Sequence, residues 1–143
     1  MIKRASVEDI EFVTPLFDLY RQFYSQSSDL IATRKFLYDR LTNSESVIFI
    51  AFENETAVGF TQLYPGFSSI GMKRVWVLND LFVLDSVRGK GIGELLINEA
   101  IKFAKSTGAS SLSLETAQDN PAQKLYERLG WKLSTYKHYS LSI

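Results

Sequence analysis

The sequence predicts an α/β fold of the mixed-sheet, α+β kind. Three observations carry this: two helical patterns precede a pair of β-rich segments, later strands alternate with helices, and one strand runs through a glycine-rich turn straight into an amphipathic helix. Residues are 45% hydrophobic and 13% aromatic, as a packed core requires. A chain of 143 residues can bury roughly 70% of its unfolded surface. One domain spanning residues 1–143 is expected, without repeat, linker or low-complexity segment.

In order along the chain, Ile2 to Arg4 reads as a short first strand, and Ser6 with Asp9 three residues on marks a capped helix start. Ile10, Val13, Leu16, Phe17, Tyr20, Phe23 and Tyr24 then recur at helical spacing. This stripe is either core throughout or, at its far end from Tyr20 to Tyr24, the wall of a pocket. Ser25, Ser27 and Ser28 break the helix, and a second follows from about Ile31 to Leu41. Ser46–Phe52 and Ala57–Tyr64 flank Glu53-Asn54-Glu55-Thr56 as an antiparallel hairpin, and Pro65-Gly66 reads as a further turn. Residues 73–83 make the next strand. After the glycine turn a helix runs through Ala104 to a stop at Gly108, burying Leu95, Leu96, Ala100, Phe103 and Ala104. Ser111–Glu115 is a short strand, Pro121–Leu129 a short helix, and Trp131–Leu141 a final strand rich in Tyr.

The segment from Trp76 to Ile97 has the build of a phosphate cradle. N–H groups at a helix start have no partner within the helix and bind anionic oxygens, helped by the helix dipole. Gly89, Gly91 and Gly93 let backbone approach a ligand, and Arg88 and Lys90 add two positive charges. Lys90 is followed by Gly91 rather than by a magnesium-binding hydroxyl, which argues against a Walker A loop. The G-x-G-x-G spacing lies past the middle of the chain and does not fit a Rossmann fingerprint.

Asn79 and Asp80 interrupt an otherwise apolar strand, and a carboxylate there is costly unless it is paired or hydrogen-bonded. A β-bulge accounts for both residues. Farther on, Asn120 suits a helix N-cap, Pro121 the first helical position, Gln123 a capping box and Gly130 the stop. Capping does not account for Tyr126, which follows Ala122 by four residues on one helix face.

Arg88-x-x-Gly91-x-Gly93, with Asn120-Pro121-Ala122 through Tyr126-Glu127 to Gly130-Trp131, resembles the two acyl-CoA motifs of the GNAT superfamily of N-acetyltransferases. The order of elements resembles that fold over nearly the whole chain. The resemblance implies a central, mostly antiparallel sheet with a splayed parallel pair, flanked by about four helices. It implies acetyl-CoA as co-substrate, its pyrophosphate on Arg88, Gly89, Lys90, Gly91, Ile92 and Gly93, its pantetheine arm along Leu81, Phe82 and Val83, and further contacts at Asn120, Ala122 and Tyr126. It implies direct attack of an amine on the thioester, with Tyr126 as general acid. Asp80 is the candidate for taking the amine's proton, or else only ties down the bulge; Tyr126 is otherwise a core tyrosine.

L-N-D-L-F-V before R-G-K-G-I-G is most similar, within the superfamily, to the spermidine/spermine and diamine N-acetyltransferases, which carry a second acid where this chain has Asn79. The acceptor expected is therefore a primary amine, small and polyamine-like or an amino sugar, with a peptide amine as the alternative. A non-catalytic acyl-CoA-binding sensor is the rival class, since fold does not dictate function.

Composition narrows the rest. Sixteen basic against sixteen acidic residues give no global attraction to nucleic acid or to a membrane. There is no cysteine and His138 is the single histidine, so no metal site is expected, and the chain suits a reducing cytoplasm. No apolar run approaches the roughly 18 residues of a membrane span. The bare edge of the final strand, Trp131 to Leu141, suggests a homodimer.

Overall fold

The computed structural model describes residues 1–143. Strands β1 (Ile2–Arg4), β2 (Val47–Glu53), β3 (Thr56–Ser68), β4 (Lys73–Val83) and β5 (Ser111–Ser113) form one sheet in that spatial order. Every neighbour pair is antiparallel except β4 with β5, which is parallel. Helices α1 (Ile10–Phe23) and α2 (Leu30–Thr42) pack on one face, and α3 (Ile92–Ser106) on the other. The short α4 (Gln123–Arg128) follows β5, with Leu125 and Tyr126 against the α3-side core. This is the mixed sheet with four helices that the sequence predicts.

The bulge in β4 is real, and it changes which layer each side chain enters. Gln62 pairs with Asp80 but Leu63 pairs with Leu78, so Asn79 is the extra residue. One inserted residue reverses the alternation. Before it, Trp76 and Leu78 join the core against α3, with Leu96, Ile97 and Ala100. After it, Phe82 packs with Phe60, Phe17 and Ile50 on the α1–α2 side, and Leu81 and Val83 take over the α3 side. If Asn79 were instead paired in regular register, with no bulge, Asp80 would turn into the apolar layer beneath α3.

Several expectations are corrected. Pro65-Gly66 is not a turn: β3 continues to Ser68, paired with β4. Its pairing to β2 ends at Leu63, so Pro65 sits where the strand is an edge on that side and needs no second N–H partner. In α3 the buried line is Leu96, Ile97, Ala100 and Ala104, while Leu95 is 53% exposed, because the helix phase puts it on the outer flank. β5 stops at Ser113, where β4 leaves it, and α4 proper begins at Gln123, after a turn made by Asn120 and Pro121. Gln123 does not close a capping box; its Nε2 donates to the carbonyls of Ala117, Gln118 and Asn120. The last correction is that Trp131–Leu141 forms no strand: past Trp131, which is partly buried and whose N–H bonds to Tyr126 O, the residues are exposed and no backbone in the chain pairs with them.

A second buried carboxylate anchors the α1–α2 junction. Asp18 accepts from Ser28 Oγ at 2.6 Å, Asp29 N–H at 2.8 Å, Gln22 Nε2 at 3.0 Å and Thr33 Oγ1 at 3.3 Å. The Ser28 bond, followed by the others, holds its carboxyl below the ordinary 3.8 despite burial. These bonds pin the turn after Phe23, and with it the aromatic end of α1. An amide at residue 18 puts an N–H₂ where only acceptors fit, so Asp18→Asn should destabilise the fold by about 2–4 kcal/mol in urea unfolding. Because the native pKa lies below the unfolded one, this contribution is complete above pH 3.8 and fades as pH falls through the native value. The gap between wild type and variant should narrow over that acid range.

Candidate active site

Parallel pairing of β5 to β4 covers only Val75–Val77 against Ser111–Ser113. Beyond it, Leu78 and Asp80 to Val83 keep their β3 partners, and the strand has no neighbour on the other side. A cavity of about 690 Å³ opens at this gap. Its walls are Leu81, Phe82 and Val83 of β4, the turn and first residues of α3, the Asn120–Ala122 turn with Tyr126, and the α1 end at Tyr20, Phe23 and Tyr24. The aromatic stripe of α1 thus divides: Ile10, Val13, Leu16 and Phe17 are core, and the last turn is cavity wall.

The glycine turn meets the requirements of an anion cradle. Gly91 caps α3 with φ 80°, a left-handed conformation that any side chain would strain, and Cβ atoms built on Gly89 or Gly91 would enter open space. The first backbone bond of α3 runs from Leu95 N–H to Gly91 O, so Ile92, Gly93 and Glu94 N–H groups precede it without helical partners. Arg88 lines the cavity, tied back by Nε to Val83 O at 3.1 Å and by Nη1 to Asp85 at 2.6 Å. Lys90 is placed differently from the sequence expectation: it is off the cavity wall and pairs with Glu53 at 2.9 Å.

Gly59 of β3 is a residue that sequence reasoning missed. It stands opposite Val83, and a Cβ there would meet Phe82 O at 2.8 Å and Leu96 Cδ1 at 3.4 Å. Only glycine lets β3, β4 and α3 approach this closely beside the cavity wall. A lone glycine inside an apolar strand is the available signal.

A smaller cavity of about 40 Å³ adjoins the first, lined by Leu78, Asn79, Leu114, Glu115 and Thr116. Tyr20, Tyr24, Leu81, Asn120 and Tyr126 line both cavities. Thr116 Oγ1 is buried without a hydrogen-bond partner. Tyr126 packs against Trp131, ring centroids 6.1 Å apart; burial, and then the neighbouring Tyr24, raise its phenol above the ordinary 10.0, so it is protonated at neutral pH. Asn120 Oδ1 accepts from Ala122 N–H at 2.9 Å and fixes the turn that presents this face of α4.

Asp80 is 4% exposed and lines neither cavity. Its carboxylate accepts from Gln62 Nε2 at 2.7 Å and Asn79 Nδ2 at 3.1 Å, with the Tyr20 hydroxyl as a further hydrogen-bonding neighbour. Burial dominates and raises its pKa above 3.8. Asp80 therefore reaches the cavities through Tyr20 and Asn79 rather than directly. Gln62, polar in the middle of an apolar strand, carries the same signal in the sequence as Asn79-Asp80.

The chain was compared with known proteins. Residues 13–131 match the acetyltransferase (GNAT) family model. The chain is 47% identical to the uncharacterized N-acetyltransferase YhfO of Bacillus subtilis, over 99% of this chain and 97% of that protein. It is 39% identical to a probable acetyltransferase of Haemophilus influenzae, over 92% and 89% of the two chains. A crystal structure of a probable acetyltransferase superposes with TM-score 0.95 at 40% identity, covering 100% of this chain and 97% of the other. No helix is long and apolar enough to cross a membrane.

Two measurements probe this geometry. Because the Asp80 pKa is raised, the native state holds a proton more tightly than the unfolded chain, and stability falls as pH rises through that window. Asp80→Asn escapes this, so its melting temperature relative to wild type should climb as pH rises above 3.8 and through the raised native value. A constant difference would mean that the carboxylate is not strained by burial. Gly59→Ala should destabilise by about 1–3 kcal/mol in urea unfolding, since the clash is with backbone.

Proposed function

The chain belongs to the GNAT family of acetyltransferases, and on that premise we propose that it transfers the acetyl group of acetyl-CoA to the primary amine of a small acceptor, polyamine-like or an amino sugar. The observation that carries this reading is that Tyr126 stands on the wall common to a large apolar cavity and a small polar one. Acyl donor and amine would meet at its hydroxyl.

Acetyl-CoA supplies the activated thioester. The free N–H groups of Ile92 to Glu94, with Arg88 beside them, suit its pyrophosphate, and the unpaired edge from Leu81 to Val83 suits the amides of its pantetheine arm. N–H groups of that edge also polarise the reacting carbonyl. The amine nitrogen attacks the carbonyl carbon, the C–S bond breaks, Tyr126 gives its proton to the departing thiolate, and the proton the nitrogen sheds on becoming an amide returns to the phenolate by way of water. A protonated primary amine, with pKa of about 10, must first lose a proton. Asp80, behind Tyr20 and Asn79, stabilises the ammonium on arrival and takes up its proton by way of Tyr20 or water.

The small cavity favours a slender amine over a peptide. Asn79, Glu115 and the unpartnered Thr116 hydroxyl offer it polar contacts, with one carboxylate on the wall and another behind it. A single exposed carboxylate suits a chain with few amino groups. Cytoplasmic residence belongs to the same proposal, supported by the lack of cysteine.

The test is release of thiol from acetyl-CoA with a panel of diamines, polyamines, amino sugars and peptide amines. One of the small amines should be turned over, more slowly at lower pH as the amine stays protonated. Tyr126→Phe should lose about 10²–10⁴-fold in kcat while still binding acetyl-CoA. Turnover confined to peptide amines would overturn the acceptor class, and full activity in the variant would overturn the acid.

A further inference from the structure

We propose that Gln62 is a positioning residue of this site: its amide, buried on the α1–α2 face of the sheet, holds the Asp80 carboxylate in the ionised form that can take up the amine's proton. The part that concerns activity rests on the functional reading above, in which Asp80 is the base; what Gln62 does to the carboxylate does not. Gln62 Nε2 donates to Asp80 Oδ2 at 2.7 Å, and Gln62 is 0% exposed. The two residues form the strand pair that borders the bulge. Thr61, one residue earlier, donates Oγ1 to the Asp80 carbonyl at 2.8 Å, so β3 grips residue 80 by main chain and side chain together.

For stability alone, glutamine is a poor choice at this position. Its partner in β2 is Ile48, which belongs to the α1–α2 core with Phe60. Its second polar atom, Oε1, is buried without a hydrogen-bond partner. An apolar side chain of similar shape would leave no orphaned acceptor there. The choice makes sense once Asp80 is counted. An ionised carboxylate only accepts, so the residue facing it must offer a donor. A lysine or arginine would cancel the charge that attracts an ammonium, and a second acid would compete for the proton. A neutral amide supplies the donor and leaves the charge in place.

The other groups around the carboxylate are weaker supports. Asn79 Nδ2 bonds to Oδ1 at 3.1 Å, but Asn79 is exposed, and water can take its place. Tyr20 of α1 is a further neighbour, its phenol raised by burial and then by Asp80. Tyr64 of β3 is raised to about 12 by burial and then by Asp80, with Arg40 of α2 opposing. No cation is among the groups that shift Asp80 itself. Burial raises its pKa, and the Gln62 bond is the largest influence against that rise, ahead of Tyr20 and Asn79.

The ionisation can be read directly from the Asp80 carboxyl carbon by NMR, in the full chain labelled at aspartate, with Asp80→Asn to assign the signal. Gln62→Met keeps the volume and removes the donor, so the midpoint of the titration should rise by about one to two pH units. Gln62→Glu keeps the shape and places a second acid beside the first, so the pair should titrate in two separated steps. An unmoved midpoint in Gln62→Met, or a single unmoved step in Gln62→Glu, would overturn the proposal; should the first variant not fold, the second decides. Activity then separates positioning from packing. With an amine that wild type turns over, the pH profile of kcat in Gln62→Met should follow the carboxyl midpoint to higher pH, with a loss of about tenfold or more on its acid side. In Asp80→Asn chains the same substitution should cost no further activity. A loss that is equal at every pH and persists in Asp80→Asn chains would overturn the positioning role. If Asp80→Asn is fully active, or wild type acetylates no amine, the base assignment fails while the carboxyl titration still decides what Gln62 does.

Discussion

One extra residue in β4 organises the molecule. Asn79 has no partner in β3, and from that point every side chain of the strand enters the opposite layer. The inversion puts Asp80 beside Gln62 instead of among aliphatic groups under α3. It sends Phe82 into the aromatic cluster with Phe60 and Tyr20, and Leu81 and Val83 toward the glycine turn. The bulge sits just past the point where β5 departs, so the strand that loses its neighbour is also the one whose twist has been locally increased. An open edge that would invite aggregation elsewhere is here roofed by α3, α4 and the end of α1.

Keeping that gap open takes support from both faces. On one, Gly59 lets β3 come close enough for α3 to press against Val83, which sets where the helix start lies relative to the strand edge. On the other, Asp18 holds the turn after α1, so that Tyr20 and Tyr24 stand with their rings 5.0 Å apart at the mouth of both cavities. Neither residue belongs to the proposed chemistry. Both fix the distance between groups that do.

Much of this was legible in the sequence because it depends on local chemistry. A glycine-rich turn between strand and helix, two polar residues in an apolar strand, and Asn-Pro before a short helix each have one structural meaning at their scale. What escaped depended on neighbours. Pro65-Gly66 reads as a turn until one knows that β2 has ended beside it. Leu95 and Ile97 exchange roles through a small difference in helix phase. The segment after Trp131 has strand chemistry but no strand geometry, since hydrogen bonding needs a second edge and periodicity cannot supply one.

The inversion in β4 also separates two kinds of heredity. Asp80 and Leu81 are adjacent in the chain, but one answers to α1 and its junction with α2, the other to the turn before α3. Drift in the N-terminal helices can therefore change what surrounds Asp80 while the glycine turn before α3 stays as it is, and under the proposed reading a gene could change its amine without relearning how to hold its acyl donor.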